Sequence, residues 1–439
     1  MKKTIFKSIK SACFMLFACL TLSIYATSCS SDDDFEINLP EETKQLSKAE
    51  LLQKYSKAEL IEQALNRMPQ TRITAPGVVM VTIKDSVTIK VRATEPMTIT
   101  WGDDSTLNII ADGKEHNYSY RYTDNYLSHV IYISDSEQAL QSLTVDDDEL
   151  ISLSIHSNEN LETLNCVNNY LEEILLSDEY PALQVLDVSN NELSSVDVTR
   201  MPVLYNFSAE NNQLTDIDLS ANPALYRLML GNNEITAISL SDNSNLTLLN
   251  LSFNPIKELD LSNQTKLSSI DVSFTSITNL DLRSNPNLTV VSLEGLSLET
   301  INGDPIGATS FAIFPKLFTL NVASTPFTLL DLSKNTMLYA VDISGSKITE
   351  LDLSGVRVHT LRTTRSKLTH LNCSKADFVR LYELRIEYTP FEKDSTNIET
   401  LGLALPDRNG VTPGHLYTYS RYINDLVGVA SKKNWQINE

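Results

Sequence analysis

The sequence is poor in basic residues for its length. Its 439 residues include 35 Lys and Arg against 56 Asp and Glu, and the net charge is −21. Binding to nucleic acid and docking on anionic lipid both require clustered positive charge, so both are disfavoured. An acidic balance by itself indicates solubility rather than a particular partner.

Cysteine and histidine are also scarce, and neither occurs in a pattern that carries chemistry. The five cysteines form no CxxC pair, and the six histidines show neither metal-ligand spacing nor an HExxH context. No GxSxG nucleophile motif is present. Paired carboxylates occur throughout so acidic a chain and therefore do not distinguish an enzyme from a protein without catalytic activity. We expect no enzymatic activity, no metal site and no cofactor.

Long apolar runs are missing except near the N-terminus. A lysine-rich start precedes an apolar run from Ala12 to Ala26, and small residues follow to Ser28. At about 15 residues this run is short for a helix that spans a bilayer. Its three-part layout is that of a secretory signal. We therefore expect residues 1–28 to be a signal peptide.

The residues that follow resemble the lipobox of bacterial lipoproteins. Ala26-Thr27-Ser28-Cys29 places a cysteine directly after the expected cut, and the acidic run 32–34 resembles the tether of surface-exported lipoproteins of Gram-negative bacteria. The resemblance implies acylation of Cys29 and an outer-membrane protein that faces the exterior. Two or more acyl chains make a lasting anchor. A plain secreted protein with an acidic N-terminus is the alternative.

Residues 29–71 are expected to form an acidic tether and a helical spacer. Apolar residues at helical spacing follow Ser47, which together with Glu50 fits a capping box. We expect a helix from about Ser47 to Asn66. A solvated stalk is favoured for it over a helix that binds a partner.

Between residues 72 and 135 the apolar period becomes two, which predicts the strands of a small β-sandwich. The turn Trp101-Gly102-Asp103-Asp104 and the aromatic segment 118–122 resemble a PKD-like domain. The resemblance implies a spacer or a contact module. We expect the aspartates of the turn to shape the backbone, with calcium binding as the alternative.

A repeat of 21 residues organises the chain between residues 136 and 391. The segment Leu246–Lys266 reads LTLLNLSFNPIKELDLSNQTK, and its apolar offsets return 21 residues earlier at Leu225 and 21 residues later at Leu267. A fixed period of about 20–50 residues indicates a solenoid. In each LxL the two leucines point inward, and stacked coils share one core.

The motif LxxLxLxxNxLxxLDLS resembles the leucine-rich-repeat family in a short bacterial form, similar to internalin-like surface proteins. We expect a mainly β leucine-rich-repeat solenoid of about twelve coils. The β-sandwich precedes it, and a short α/β cap over residues 392–439 closes it.

Two polar rows run along the repeats. The asparagine row is expected to bond turning backbone groups, and the aspartate row to cap backbone N–H groups, with metal binding as the alternative. Beyond Asn254 the asparagine position holds Thr, Leu or Ser, so the second half of the array should turn differently. The asparagines are Asn169, Asn191, Asn212, Asn233 and Asn254, and the aspartates are Asp197, Asp218, Asp260, Asp281, Asp331 and Asp352.

Two cysteines of the repeat region fall at inward positions. Cys166 and Cys373 lie about ten coils apart, which corresponds to about 45 Å at the spacing of paired strands. A disulfide needs Cα atoms within about 7 Å. We expect both residues to be buried and not joined by a disulfide.

Partner contacts are expected where the array is irregular or carries large outward residues. The interval from Leu288 to Leu317 is 29 residues, and its extra apolar loop either forms a contact surface or packs against the core. Outward arginines and aromatics have the composition of interaction hot spots. The candidate ligand-binding residues are Arg227, Phe253, Phe274, Phe311, Phe314, Arg362, Arg365, Arg385 and Tyr388.

The leading hypothesis is a non-catalytic, monomeric, surface-exposed lipoprotein of the outer membrane. It would contact a host or bacterial cell-surface protein through the concave face of the solenoid, as in adhesion. The alternative is a glycan-binding lipoprotein for nutrient capture, because aromatic platforms suit sugar rings. A structural envelope protein without a specific ligand is a third possibility. No nucleic-acid partner is expected.

Overall fold

The computed structural model describes residues 54–68, 76–103, 105–124, 126–135, 138–176, 179–306, 308–374, 377–419 and 423–438. Cys29, the signal segment and the predicted cap at Ser47 lie outside these ranges. Within them, no helix is long and apolar enough to cross a membrane.

Most of the regular secondary structure in the described chain is β-strand, in short pieces joined by turns. The strands before the regular repeats are β1 (Gly77–Thr82), β2 (Ser86–Ala93), β3 (Met97–Thr100), β4 (Thr106–Ile109), β5 (Glu115–Arg121), β6 (His129–Ser134), β7 (Leu140–Thr144) and β8 (Leu150–His156). The next are β9 (Thr163–Asn165), β10 (Leu175–Leu176), β11 (Val185–Asp187), β12 (Asn206–Ser208), β13 (Arg227–Met229), β14 (Leu248–Asn250), β15 (Ser269–Asp271), β16 (Asn279–Leu280) and β17 (Val290–Ser292). The late repeats supply β18 (Thr300–Ile301), β19 (Asp304–Pro305), β20 (Ala308–Ser310), β21 (Thr319–Asn321), β22 (Leu329–Asp331), β23 (Ala340–Asp342), β24 (Glu350–Asp352), β25 (Thr360–Arg362), β26 (His370–Asn372) and β27 (Glu383–Arg385).

The C-terminal segment adds the last two strands and two of the three α-helices found among the described residues. These elements are β28 (Gly414–Tyr417), β29 (Trp435–Asn438), α2 (Ser395–Ala404) and α3 (Ile423–Lys432), whereas α1 (Lys57–Leu65) lies near the N-terminus. Short 3₁₀ helices span Asp377–Arg380 and Phe391–Lys393.

A sheet of sixteen strands runs the length of the molecule in the order β29-β28-β27-β25-β23-β21-β17-β15-β14-β13-β12-β11-β9-β7-β2-β5. We call it the concave sheet, because the parallel sheet of a leucine-rich-repeat array lines the inside of its curve. From β7 to β29 every neighbouring pair is parallel and in register. In the concave sheet, the middle residue of each three-residue strand points into the core, as Leu228, Leu249 and Ile270 do.

From Asn279 onward, a second short strand in the repeats forms smaller sheets. These are β16-β18-β19 and β20-β22-β24-β26. The long interval after Leu288 separates them, because β18 and β19 form an antiparallel hairpin that ends the first sheet.

The apolar residues of this long interval pack into the core. Phe311 and Phe314 are fully buried, and the Phe311 ring meets the edge of Phe327 at 6.1 Å between centroids. Their prediction as ligand-binding residues is therefore wrong: both side chains fill space between coils and none of their surface is open to a partner. The other possibility raised by the sequence, packing against the core, is the one observed.

The strands before the repeats lie in two sheets, and both sheets continue into the solenoid. Strands β1, β3, β4 and β6 share one sheet with β8 and β10, in which β1 pairs with β8, while β2 and β5 end the concave sheet next to β7. The N-terminal strands thereby cover the first coil, which would otherwise expose an open sheet edge.

Helix α1 is part of this folded N-terminal region. Its capping box is formed by Ser56 and Glu59. Leu60 and Ala64 are buried in one cluster with residues of β1, β6 and β8. Lys57 Nζ donates to the carbonyl of Tyr170 (2.8 Å). The helix thus packs against the body instead of acting as a free spacer.

The C-terminal cap extends the concave sheet by two parallel strands, β28 and β29, and packs α2 and α3 beside them. Helix α2, which the sequence pattern did not predict, begins at Asp394, whose carboxylate accepts from Thr396 N (2.8 Å). Trp435 Nε1 donates to the carbonyl of Pro406 (3.0 Å), so the last strand is joined to the loop after α2.

The asparagine row joins each early coil to the one before it. The side-chain oxygen of Asn233 accepts from Leu214 N (3.0 Å), and its nitrogen donates to the carbonyls of Ala209 (2.9 Å) and Leu230 (3.0 Å). The other asparagines of the row repeat this arrangement. At the same position Thr275 donates only within its own coil, to Val272 (2.9 Å). The late coils therefore turn differently, as predicted.

A second row of buried amides, not noticed in the sequence, lies just after the LDL motif. Asn243 Nδ2 donates to the carbonyls of Leu219 (3.1 Å) and Asn222 (2.9 Å), both in the preceding coil. Phe314 takes this place in the long coil, which explains its burial. The row consists of Asn222, Asn243, Gln264, Asn285 and Asn335.

The two cysteines of the repeats have free thiols. Cys166 is buried as expected, but Cys373 is only half-buried, because it follows β26, the edge strand of its sheet. Burial raises the pKa of both thiols, that of Cys373 to about 12.

The asparagine row should dominate the stability of the early coils. We expect Asn233→Ala to lower the free energy of unfolding by about 2–4 kcal/mol, because one N–H and three carbonyls lose a buried partner. Thr275→Val, at the same position two coils later, should cost about 1 kcal/mol. Urea unfolding followed by far-UV circular dichroism would measure both, and equal losses would contradict the inter-coil role of the amide.

Candidate functional site

The turn after each concave strand contains one residue with positive φ, and these residues form a row along one edge of the sheet. We call it the rim row. Positive φ costs an ordinary L-residue about 1–2 kcal/mol, whereas Gly and Asn adopt it readily. In chain order the row is Asp147, Asn168, Asn190, Asn211, Asn232, Phe253, Phe274, Gly295, Ser324, Gly345, Arg365 and Tyr388.

Four bulky residues occupy this costly position, and all were candidates from the sequence. Phe253 (φ 55°), Phe274 (φ 56°), Arg365 (φ 58°) and Tyr388 (φ 59°) are exposed, and the exposed fractions of the three aromatics are 54%, 43% and 52%. The core gains nothing from these side chains. Asn or Gly would carry a smaller conformational cost at these positions. Large, exposed side chains in this strained conformation therefore indicate a surface contact.

The two phenylalanines stack on each other across adjacent coils. Their ring centroids are 4.6 Å apart with 21° between planes. The Phe274 ring also lies over Gly295, where an added Cβ would come within 2.6 Å of Phe274 Cδ1. The glycine therefore serves the positive φ and makes room for the ring.

The preceding part of the rim row is an exposed amide ladder. Asn211 Nδ2 donates to Asn190 Oδ1 (2.7 Å), and Asn232 Nδ2 donates to Asn211 Oδ1 (2.8 Å). These hydrogen bonds fix the orientation of the three side chains in the part of the row that precedes Phe253.

The end of the rim row combines Arg365 with two tyrosines. The Arg365 guanidinium lies 5.3 Å from the centroid of the Tyr388 ring, and Tyr388 packs on Tyr419 at 4.8 Å. Buried Glu392 accepts from the backbone N–H groups of Tyr388 (2.7 Å) and Tyr419 (3.0 Å), which fixes both rings. Among the described residues, Arg365 has no carboxylate partner.

The other two late arginines lie on the strands and are paired. Arg362 Nε (2.9 Å) and Arg385 Nε (2.8 Å) both donate to Glu383 Oε1. Burial raises the pKa of Glu383, but the hydrogen bonds from the two arginines outweigh it and hold that pKa below its ordinary value. Arg385 also covers the Tyr417 ring at 3.9 Å. Glu387 Oε1 lies 4.0 Å from Arg385 Nη1, so two carboxylates together balance the charges of the two arginines.

Arg227 lies in the middle of the concave sheet, apart from the other candidates. It is half-buried, and its Nε has no hydrogen-bond partner among the described residues. Nearby Glu210 accepts from Asn250 Nδ2 (2.6 Å), and burial raises the pKa of Glu210 above its ordinary value. The structure thus does not bring Arg227 together with the rim residues.

An aromatic ladder on the opposite edge of the sheet was missed. Phe318, Tyr339, His359 and Tyr382 each directly precede a concave strand, and successive ring centroids are 4.9, 4.4 and 5.1 Å apart. The guanidinium of Arg408 lies 5.1 Å from the centroid of the Tyr382 ring. The sequence contains a pattern that predicts this ladder, because each ring follows the first apolar residue of its repeat by one position.

The imidazole of His359 is suited to this stack. Burial, and then the charge of Arg408, lower the pKa of His359 below its ordinary value. The ring is therefore neutral at pH 7 and packs as an aromatic.

The aspartate row shapes the turns after the LDL motif. Asp218 Oδ1 accepts from Ser220 N (2.9 Å), and side-chain and backbone hydrogen bonds from Ser220 hold the pKa of Asp218 below its ordinary value. The same bond to the residue two positions later recurs along the row. Within the described ranges, no group of three or more His, Cys, Asp or Glu side chains could hold a metal ion.

Comparison with known proteins supports the fold. No protein-family model and no curated protein matches the sequence. Among solved structures, the chain is similar to a leucine-rich-repeat protein of Leptospira interrogans, with a TM-score of 0.52 and 19% identity over 69% of this chain and 73% of that chain. An internalin of Listeria monocytogenes gives a TM-score of 0.48 and 19% identity over 68% and 79% of the two chains. The functional domain of InlJ from Listeria monocytogenes gives 0.43 and 22% over 65% and 76%.

The predicted fold class, a mainly β leucine-rich-repeat solenoid, is thereby confirmed. At these identities the likeness concerns the fold alone. The repeat, the parallel concave sheet and the Leptospira neighbour agree on it.

The cost of the rim conformation can be measured at Arg365. Arg365→Asn and Arg365→Ala remove the same guanidinium, but only Asn adopts positive φ readily. We expect the Asn variant to unfold at higher urea concentration, with a difference of about 1 kcal/mol in its favour. Equal midpoints would show that the rim turn relaxes and that its large residues carry no backbone cost.

Proposed function

We propose that this leucine-rich-repeat chain is a non-catalytic binding protein that contacts another protein through the late part of its concave sheet. We further propose that acyl chains on Cys29 anchor it to the outer membrane of a Gram-negative cell, facing the exterior. The observation that carries the binding role is the aromatic ladder, defined above as Phe318, Tyr339, His359 and Tyr382.

The ladder has the properties of a binding hot spot. Phe318 and Tyr339 expose 43% and 36% of their side chains, yet stacking holds each ring in place. A partner that covers these rings gains apolar burial without the usual loss of side-chain freedom. Aromatic residues with arginine nearby are enriched at the energetic centres of protein interfaces.

The surroundings of the ladder favour a protein over a sugar. The adjoining strand positions are small, at Thr319, Ala340 and Thr360, so a partner can reach the sheet beside the rings. Both faces of the His359 ring are covered by its neighbours. A sugar ring stacks on an open aromatic face, whereas protein side chains can pack against ring edges.

The order of the strands supports outward presentation. The ladder lies beside β21, β23, β25 and β27, whereas the strands nearest the N-terminus end the sheet at β2 and β5. An anchor at Cys29 would therefore leave the ladder at the far end of the solenoid from the membrane attachment.

Anchoring can be tested at one atom. Cys29→Ser removes the thiol that would be acylated, so the protein should move from the membrane pellet to the soluble fraction and lose fatty-acid labelling. Cys19→Ser, within the expected signal segment, is the matched control and should leave anchoring intact. A Cys29→Ser chain that remains in the membrane would refute the lipid anchor.

If the aromatic ladder binds a partner, its removal should weaken binding without affecting folding. Other coils hold Thr247 and Thr289 at the ladder position, so the double variant Phe318→Thr/Tyr339→Thr should fold. We expect its affinity for proteins captured from a host-cell surface fraction to fall about tenfold or more, because two hot-spot rings are lost. Biolayer interferometry with the purified captured protein would measure it.

The control removes an equally exposed apolar residue elsewhere, through Leu403→Gln on α2. It should bind as the unaltered chain does. Unchanged binding by the ladder variant would refute the assignment of the ladder. Binding to a glycan array that the ladder variant loses would instead favour the glycan-binding alternative.

A further inference from the structure

The rim row complements itself when it is read in the opposite direction. It has two phenylalanines at its centre and three small residues on one side, with three of its four asparagines at the matching distance on the other. Asp147 stands at one end, and Arg365 stands next to the other end, with Asn168 at the position opposite it. We propose that two copies of the chain associate through their rim rows, antiparallel, about a twofold axis between Phe253 and Phe274. This goes beyond the proposed function, which uses the ladder on the other edge of the sheet, and it departs from the expected monomer.

The register of the concave sheet makes such pairing possible. Every coil along the row advances by one strand spacing, about 4.8 Å, without a slip in register. Because the spacing is even, each residue of the row stays opposite one residue of an antiparallel copy over the whole length of the row. An interface formed in this way is isologous, so each contact occurs twice.

The centre of the row supplies the apolar contact. Phe253 and Phe274 are exposed and stacked on each other, and each faces the other residue's equivalent in the second copy. Four rings would meet around the axis. Clustered aromatics at the middle of an interface are where binding energy concentrates.

The flanks fit by size. In the antiparallel alignment Asn232 faces Gly295, Asn211 faces Ser324 and Asn190 faces Gly345. The asparagines project as a hydrogen-bonded ladder, whereas the opposing positions carry little or no side chain. Asn190 and Asn211 of one copy therefore lie opposite small residues of the other, whereas Asn232 meets the Phe274 ring that lies over Gly295.

The ends fit by charge. Exposed Asp147 faces Tyr388, and it lies one coil, about 5 Å, from the position opposite Arg365. Among the described residues, neither the Asp147 carboxylate nor the Arg365 guanidinium has an ion-pair partner in its own chain. The row as a whole is neutral, although the chain carries −21. Contacts elsewhere on so acidic a surface would be repulsive.

Charge reversal tests the pairing between copies. The full chain from residue 29, with Cys29→Ser to remove the site of acylation, is studied by sedimentation over a concentration series. We expect a monomer–dimer equilibrium that Asp147→Arg or Arg365→Asp weakens at least tenfold. The double variant should restore it to within threefold. The two residues lie about 50 Å apart within one chain, so rescue can arise only between copies.

Cysteine pairs test the register. A mixture of Asn211→Cys chains and Ser324→Cys chains should form a disulfide-linked heterodimer on oxidation, whereas neither variant should cross-link with itself. Phe253→Asp/Phe274→Asp should give a monomer with an unchanged circular dichroism spectrum, since Asp147 shows that Asp is accepted at this φ. The ladder variant Phe318→Thr/Tyr339→Thr should leave the dimer intact, which separates this proposal from the proposed function. A chain that stays monomeric, charge reversals without rescue, or cross-links without regard to register would overturn it.

Discussion

In-register parallel pairing of three-residue strands is the constraint on which the rest of this structure depends. Because neighbouring coils do not slip, a residue type that recurs at one offset in the repeat becomes a continuous row in space. Rows then interact along the solenoid as they cannot within one coil. Buried amides bond from coil to coil, rings stack on rings, and exposed amides form a ladder. Core, stability and surface chemistry therefore follow from the same geometry.

The two buried amide rows stabilise the stacking of the coils at different turns. One binds the turn after the concave strand in the early coils, and the other binds the turn after the LDL motif as far as Asn335. Where Thr or Ser replaces Asn in the first row, the hydroxyl is too short to reach the next coil and bonds locally. The late coils thus lose cohesion in that row, and they are also the coils that carry the aromatic ladder on the surface.

The two edges of the concave sheet differ in physical character. On the ladder edge the rings precede the strands at residues without positive φ, and stacking holds the rings in line. On the rim edge the backbone is held at positive φ, so every residue other than Gly or Asn carries a conformational cost. For this reason, large side chains on the rim edge are stronger indicators of a binding surface than those on the ladder edge. An arrangement with a partner protein on one edge and a second copy on the other would use both edges without competition.

The sequence by itself determined the period, the fold class, the inward leucines and the role of the first asparagine row, because each depends on local spacing that one coil repeats from another. It also identified Phe253, Phe274, Arg365 and Tyr388 as outward. Only the tertiary structure decided that these four share a strained turn, that Glu383 pairs with both Arg362 and Arg385, and that Phe311 and Phe314 are buried. It likewise placed α1 against the N-terminal sheet. These outcomes depend on which side chain of the next coil or segment lies within reach, and that depends on packing between elements distant in the chain rather than on any pattern within a repeat.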